Sequence, residues 1–548
     1  MKETKSDTSL VRIGNGLFNR RQFLALSAAA GGGLALAACG TDSEMSDTAT
    51  EDSAEDSATE TTEATTEVKT ALRIGMNSSS VAESLTPVAI QGYVWSQMLG
   101  FVFYDPLIKK DDRGNLVPCL ATEWDTTNPT KTVLKIREGV TFHDGTPLTA
   151  ADVAYSIAVR SDPKLIETTQ GRPLMTPEQW VSATAIDDRT VEVVTSERVE
   201  FLINPQPVLV IQNESFGKVN YANEVNGTGP YKLGKFTSGT GVECVANDAY
   251  WDGVPSIIDL SFTFYKDPAT SATSLKSGQV DALYDVAPAN IDSVSDIDGT
   301  VLSDMGTYAF WWIIQMGKEP LNDPAVRTAL RHCFDIEAIN QASFKGRGKF
   351  SWNPFKLFTV NSGADADVDF DPGKTKQLLA DLGKSDITVP ILCIEGYKDG
   401  VSAAQVMQQS FQAAGITCEV EVVPAQDWLD RTYGKGTWEG ITFNAGNLPF
   451  PSKNFFDYLV NPSTILSAYK KGDVVEAAAE LYRKINATPF DSPEISDLLA
   501  QAEKMIVDDA IVLMGLGAAV GLVLPEGVSG VVTNGFGDVF WDKAVFSA

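Results

Sequence analysis

Hydrophobic and polar positions change period repeatedly along this chain, and the changes mark its elements. Between Lys131 and Ser156, the residues Val133, Leu134, Ile136 and Val140 mix β-branched and apolar side chains over a short span, which predicts a strand. Gly139 and the run His143-Asp-Gly-Thr-Pro147 then break it with turn residues. A helix is predicted next, with Thr149 as N-cap and Asp152 three residues later, a capping-box spacing. Upstream, Val68–Gly75 alternates as a strand does. Downstream, Ala185–Val193 reads as a hairpin around a polar turn, and Ser274–Ala282 as a short helix, a glycine stop and a strand.

The later half keeps a helix–strand rhythm. Asp323 is placed as a cap and Pro324 at the first helical position, with Val326, Leu330, Cys333 and Phe334 as the buried stripe. His332 falls off that stripe and is expected at a solvated rim. Helices are predicted over Lys374–Gly383 and Ala403–Ala414, and strands over Ile387–Glu395 and Ile416–Val423. Such alternation argues for a parallel or mixed sheet covered by helices. Ala502–Ala510 reads as a helix, and the apolar run Ile511–Leu524 as a returning core strand. That run is short of the roughly 20 residues that a membrane span needs.

Length and charge narrow the class. A chain of 548 residues is too long for one compact core, so two or three lobes are expected. With 43 basic and 72 acidic residues the net charge is −29, which argues against nucleic acid as a partner, since phosphates are met by basic stripes. Of six cysteines, Cys39 belongs to a leader. Cys119, Cys244, Cys333, Cys393 and Cys418 remain, with no C-x-x-C pair, and read as small buried thiols. One bridge stays open as an alternative, for instance Cys393 with Cys418. His143 and His332 are the only histidines, which starves His-based metal or triad chemistry.

Residues 1–39 read as an export signal rather than fold. Arg20-Arg21-Gln-Phe-Leu24 has the twin-arginine pattern and is followed by a short run rich in Ala, Leu and Gly. Asn19 precedes the pair and no basic residue follows Leu24, so general secretory export is the alternative. Leu36-Ala37-Ala38-Cys39-Gly40 resembles a bacterial lipobox, which implies that Cys39 is lipidated and becomes the first residue of the mature chain. Residues 40–69 are dominated by Thr, Ser, Ala, Asp and Glu, with no aromatic residue. Such a segment buries little apolar surface, and it is expected to act as a disordered tether.

The chain has no Walker A loop, no G-x-S-x-G elbow, no H-E-x-x-H and no EF-hand loop. No catalytic residue, metal site or cofactor is therefore expected. Several strings do carry a specific resemblance. The run from Lys131 to Ser156, with Leu116-Val-Pro-Cys-Leu-Ala-Thr-Glu-Trp124 before it, resembles family 5 extracytoplasmic solute-binding proteins. These are the peptide, nickel and oligosaccharide receptors of ABC importers. Asn226-Gly-Thr-Gly-Pro-Tyr-Lys-Leu233, Asn247-Asp-Ala-Tyr-Trp-Asp-Gly253 and Ser274–Ala282 are further matches. The first of them is not a dinucleotide loop, because Pro230 and the strand-like residues after it deny the required helix.

The resemblance implies a two-lobed α/β clamshell of mixed sheets covered by helices, with a smaller β-rich subdomain inserted in the first lobe. It places lobe I at 70–310 with 511–548, the insertion at about 98–215, and lobe II at 311–510. It implies an exported monomer on the outer face of the cytoplasmic membrane, held there only by its lipid. There it would deliver a peptide or other small solute to ABC permease subunits with cytoplasmic ATPases, without making or breaking a bond. A surface sensor and a secreted hydrolase are the alternatives. The cleft is expected to draw on Gln91, Gly92, Tyr93, Trp95, Trp311, Trp312, Trp428 and Trp438. Asn444 and Asn447 stand where peptide-binding members carry an aromatic residue and the aspartate for the α-ammonium. Loss of that carboxylate implies a preference for neutral or blocked ligands, because a charge-assisted bond is missing.

Overall fold

The computed structural model describes residues 10–13, 16–19, 69–77, 85, 100–110, 116–165, 175, 179–198, 224–357, 365–434, 437–446, 477, 480, 481, 483–485, 487, 488, 492–533 and 539–547. The chain forms two compact units, Met1–Thr65 and Thr66–Ala548. In the first, β1 (Leu10–Ile13) pairs antiparallel with β2 (Gly16–Asn19), within the stretch read as an export signal. Arg20, Arg21 and Cys39 lie outside the described residues.

The second unit opens with β3 (Ala71–Asn77), whose Leu72, Ile74 and Met76 are fully buried. A hairpin of β4 (Ile108–Lys110) and β5 (Leu116–Pro118) leads to β6 (Ala121–Asp125) and β7 (Lys131–Ile136). Helix α1 (Ala150–Val159) follows, then β8 (Trp180–Asp187) and β9 (Thr190–Thr195). The four strands form an antiparallel sheet in the order β6-β7-β9-β8. Its inner residues Leu134, Ile136, Val191 and Val193 pack with Val153 and Ile157 of α1 as a separate core. The capping box is present: the Thr149 amide and hydroxyl donate to Asp152 Oδ2 at 2.8 and 2.7 Å.

The remaining strands build one large mixed sheet. These are β10 (Tyr231–Thr237), β11 (Gly241–Ala246), β12 (Asp259–Tyr265), β13 (Ala282–Val286) and β14 (Thr300–Ile314). Helix α2 (Pro268–Lys276) joins β12 to β13, giving a parallel crossover onto β3. Beyond β14 come α3 (Pro324–Leu330), α4 (Ile336–Phe344), β15 (Lys349–Ser351), α5 (Pro372–Asp381), β16 (Ile391–Ile394) and α6 (Lys398–Ala413). The chain continues through β17 (Val420–Val423), β18 (Ile441–Gly446), α7 (Glu494–Asp508) and β19 (Val512–Pro525). The sheet order is β10-β11-β12-β3-β13-β19-β14-β18-β16-β17, with β15 also on β19.

Two strands carry the chain between lobes. β14 has 15 residues and β19 has 14, about two and a half times the length of an ordinary strand, and they run antiparallel. Phe310–Ile314 and Val512–Leu516 belong to the core built around α4, α6 and β16. Leu522 and Leu524 belong instead to the core of β3, β11 and β12. Val523 turns to a third cluster, with Leu283, Val286 and Leu275. Between the cores the pairing slips, from Asp304↔Gly521 to Thr307↔Ala519, and Ala519 is exposed within an otherwise buried strand. Two cores joined by paired long strands, with water reaching the sheet between them, define a two-lobed α/β protein.

Two expectations need correction or completion. His332 is buried rather than solvated, and its Nδ1 lies 2.7 Å from the Asp369 carbonyl oxygen. The α-helix ends at Leu330 and passes into a 3₁₀ turn over Arg331–Cys333, so the α-helical spacing used to place His332 no longer applies there. Among the described residues all five body cysteines are free and buried, Cys393 and Cys418 included. Burial holds both of those thiols up, at about 12.

Candidate functional site

The sequence strings that carried the resemblance converge on one joint. His143 and Asp144 sit in the turn after β7, and their backbone and side chains meet Asn226–Gly229. The His143 amide donates to the Gly227 carbonyl at 2.9 Å, and its Nε2 lies 3.1 Å from the Gly229 carbonyl. Asn226 accepts from the Asp144 amide at 3.0 Å and donates to the Asp144 carboxylate at 2.9 Å. Burial pulls the His143 pKa down to about 4, so the imidazole is neutral at physiological pH. Asp105 closes the joint, accepting from Tyr250 (3.0 Å), Trp251 (2.9 Å) and Thr228 (3.1 Å). These hydrogen bonds fasten the turn after β7 to residues 226–229, and residues 228, 250 and 251 to Asp105.

A second set of polar groups is drawn from β13, from β14 beside its register slip, and from the start of α6. Asp285 ends β13 at a bulge, with φ of 60°, in the left-handed region. Asp399 lies in the first turn of α6, where its carboxylate accepts from the Gly400 amide and the Tyr308 hydroxyl. Tyr308 comes from β14 just past the register slip, and Tyr397 immediately precedes α6. All four are half-buried. Burial is the first cause that raises the Asp285 pKa, to about 7, and the charge of Asp399 is the second. Burial alone raises Asp399, opposed by the Tyr308 hydroxyl and the amides of the helix start. Aromatic rings back the group. Tyr308 meets Phe344 edge-on at 6.2 Å, and Tyr397 lies 5.6 Å from Phe443.

The expected cleft residues divide. Gln91, Gly92, Tyr93, Trp95 and Asn447 lie outside the described residues. Trp312 is fully buried against Phe310 and Phe443, and Trp428 donates to the Thr442 hydroxyl at 2.8 Å. Trp438 is buried too, and its carbonyl accepts from Gln315 and Lys318. These three tryptophans fill the lobe II core instead of presenting a face to the crevice. Trp311 and Asn444 are register partners on one face of the β14–β18 pair, and both are buried. Sequence reasoning missed Asp285, Tyr308, Tyr397 and Asp399. The one signal available was an aspartate directly before the Val-Ala-Pro that ends a strand, and acidic residues are too common here for that to stand out. A groove of about 810 Å³ also opens at the far end of lobe II, lined by Lys318, Glu319, Lys384, Asp386 and Glu439. It is remote from the inter-lobe crevice.

The fold and the crevice define a two-lobed solute-binding protein. The chain belongs to the bacterial extracellular solute-binding proteins of family 5, whose model matches residues 115–466. It is similar to the periplasmic oligopeptide-binding protein OppA of Salmonella typhimurium, at 27% identity over 289 residues, covering 48% of this chain and 52% of that one. The match thus spans about half of that relative's length. The glutathione-binding protein GsiB of Pectobacterium atrosepticum is 23% identical over 366 residues, covering 63% of this chain and 68% of its own. Among solved structures, the oligopeptide-binding protein AppA of Bacillus subtilis, in complex with a nonapeptide, superposes with a TM-score of 0.73. The pair is 18% identical, and the match covers 88% of this chain and all of the other. AgaA of A. tumefaciens R10, in complex with agropinic acid, gives 0.74 at 19% identity, covering 87% of this chain and 99% of its own.

Proposed function

We propose that this protein is the exported, lipid-anchored receptor of an ABC importer. It captures a peptide or peptide-like solute between its lobes and delivers it to permease subunits driven by cytoplasmic ATPases. The observation that supports this most is the pair β14 and β19, joining two separate cores through a register slip where the sheet meets water. Paired crossing strands with a local irregularity are a hinge, and hinge closure over ligand is how two-lobed binders work. In this reading lobe I comprises 70–310 with 511–548, the insertion spans about 98–215, and lobe II spans 311–510. Residues 1–39 direct export, 40–69 form the tether, and Cys39 carries the lipid. Gln91, Gly92, Tyr93, Trp95 and Asn447 contribute to the solute site, with Trp311 and Asn444 supporting it from the sheet.

Mature protein purified under native conditions is expected to retain a small molecule, seen by native mass spectrometry. Its removal is expected to raise the radius of gyration in small-angle scattering, and its return to lower it. Protein that carries no small molecule, and whose radius of gyration stays constant with every peptide and sugar pool offered, would overturn the receptor reading.

A further inference from the structure

One edge of β19 is shared by strands from both lobes. β14 covers the other edge along nearly its whole length. On the shared edge β13 pairs at Gly521 and Val523, and β15 pairs from Gly515 to Gly517. β13 is packed on β3 in lobe I, whereas β15 follows α4 in lobe II. Among the described residues, Ala518, Ala519 and Val520 have no ladder partner on this edge. The backbone between the two cores is therefore held from one side only, and bending concentrates there.

An ion pair spans that gap. Arg347, two residues before β15, meets Asp292, six residues after β13, through Nη2 and Oδ1. Each partner stands on a support that belongs to its own core. Asp292 lies in the 3₁₀ turn Pro288–Ser293, where Ile291 and the following Val294 pack with Leu283, Val286 and Val523. Arg347 lies in the loop after α4, whose last residue, Phe344, is part of the lobe II core. That loop has little freedom. Lys345 and Gly346 both take left-handed backbone, with φ of 51° and 77°. The Arg347 amide donates to the Phe344 carbonyl at 3.0 Å. The Asn340 side chain holds Gly348 by donating to its carbonyl at 2.9 Å and accepting from its amide at 2.8 Å. The backbone of Arg347 is thus fixed to lobe II and that of Asp292 to lobe I, so their separation follows the angle between the lobes.

Resting on the receptor reading above, we infer that Arg347 and Asp292 form a latch on the hinge, favouring the lobe angle at which they meet. A contact equally strong at every angle would shift nothing. This one acts only while the gap beside Ala518–Val520 is narrow, so its loss moves the lobes away from this arrangement. Its size follows from exposure. The Arg347 and Asp292 side chains are 40% and 57% exposed, and pairs so placed shift an equilibrium by about two- to fivefold. That biases a hinge without locking it, since a lock needs a preference of about 10⁴. The latch leaves the solute site untouched and acts on affinity only through the population of the binding-competent angle.

The test uses the mature full-length chain, freed of any retained solute, with spin labels at Lys276→Cys on α2 and Gln412→Cys on α6. Both positions are exposed, and the five body cysteines are buried. Pulsed dipolar spectroscopy reads the distribution of distances between the lobes. Wild type is expected to populate two distances. Arg347→Gln and Asp292→Asn are each expected to change their ratio about two- to fivefold, in the same direction. The double variant is expected to shift no further, and the reversed pair, Arg347→Asp with Asp292→Arg, to restore the wild-type ratio. Raising salt to about 1 M, where the Debye length is about 3 Å, should move wild type as the substitutions do and leave the variants in place. Either single variant, with the salt series, decides alone if the other does not fold. Equal ratios in wild type and the single variants overturn the latch while the hinge stands. Shifts that add in the double variant overturn it too, because independent effects are not a pair. A single distance common to every chain also overturns the latch. If removal of the solute then leaves the radius of gyration unchanged as well, the receptor reading falls with it.

Discussion

Val286 and Asp304 pair with the same residue, Gly521, from opposite edges of β19. Both neighbours slip register at that point, β13 between Leu283 and Val286 and β14 between Asp304 and Thr307. Gly521 therefore lies where the ladder is interrupted on both sides and the two cores part. A Cβ there would stand 2.9 Å from Leu302 Cδ1 and 3.3 Å from Val286 Cβ. Gly521→Ala is expected to cost about 1–3 kcal/mol of stability by overpacking. It should also narrow the difference in radius of gyration between ligand-free and ligand-bound protein. An unchanged scattering difference in a folded variant would remove Gly521 from the hinge.

The joint between the small sheet and lobe I gives a sharper contrast. A Cβ at Gly229 would lie 2.4 Å from the Phe103 carbonyl carbon, and backbone cannot move aside as a side-chain tip does. Gly229→Ala is expected to cost about 3 kcal/mol or more. Asn226→Ala, which removes both Asn226–Asp144 hydrogen bonds while Asp144 keeps those from Thr146, is expected to cost about 0.5–1.5 kcal/mol. Both losses should appear in chemical denaturation. Solute affinity of the folded Asn226→Ala protein should stay within twofold, because the Asn226–Asp144 bonds serve the architecture of the joint.

How much of this was legible in the sequence follows from the same joint. The strings His143–Pro147, Asn226–Leu233 and Asn247–Gly253 are recognisable because turns, close glycines and a buried Asp105 leave little freedom at each position. They told the family and the fold class correctly. The capped starts at Thr149 and Asp323 were equally plain, since capping is local chemistry. The half-buried polar groups beside the crossing strands come instead from residues far apart in the chain. Asp285 and Asp399 become neighbours only through the crossover of β13 onto β3 and the packing of α6 on lobe II, and no local pattern encodes that. Tryptophans misled for a related reason: a large apolar ring suits a core as well as a cleft, as Trp312 shows.

The lipid anchor is open to a direct measurement. With Cys39 as the acceptor, Cys39→Ala should move the protein from the membrane fraction to the soluble one, with its fold unchanged. A Cys39→Ala protein that still pellets with membranes after a high-salt wash would exclude this residue as the anchor.

Stability against pH tests the burial of Asp285 apart from any ligand. The unfolded Asp285 carboxyl ionises at about 3.9, whereas in the folded protein burial, reinforced by the Asp399 charge, holds it to about 7. The folded state therefore keeps a proton that the unfolded state has released. Stability from this group is greatest below about 4, falls as pH rises toward 7, and stays lowered above it. A tenfold change in a proton affinity corresponds to about 1.4 kcal/mol. Because the crevice admits water, a total of about 1–3 kcal/mol is expected, below the full product. Asp285→Asn cannot ionise, so it should gain about that much over wild type at pH 8 and little at pH 4.5. Burial raises Asp399 as well, and because its charge acts on Asp285, the two should couple and broaden the wild-type transition. Guanidinium unfolding of ligand-free wild type and Asp285→Asn at half-unit pH intervals measures the difference curve. A flat curve from pH 4.5 to 8 would show that Asp285 is solvated like any surface carboxylate.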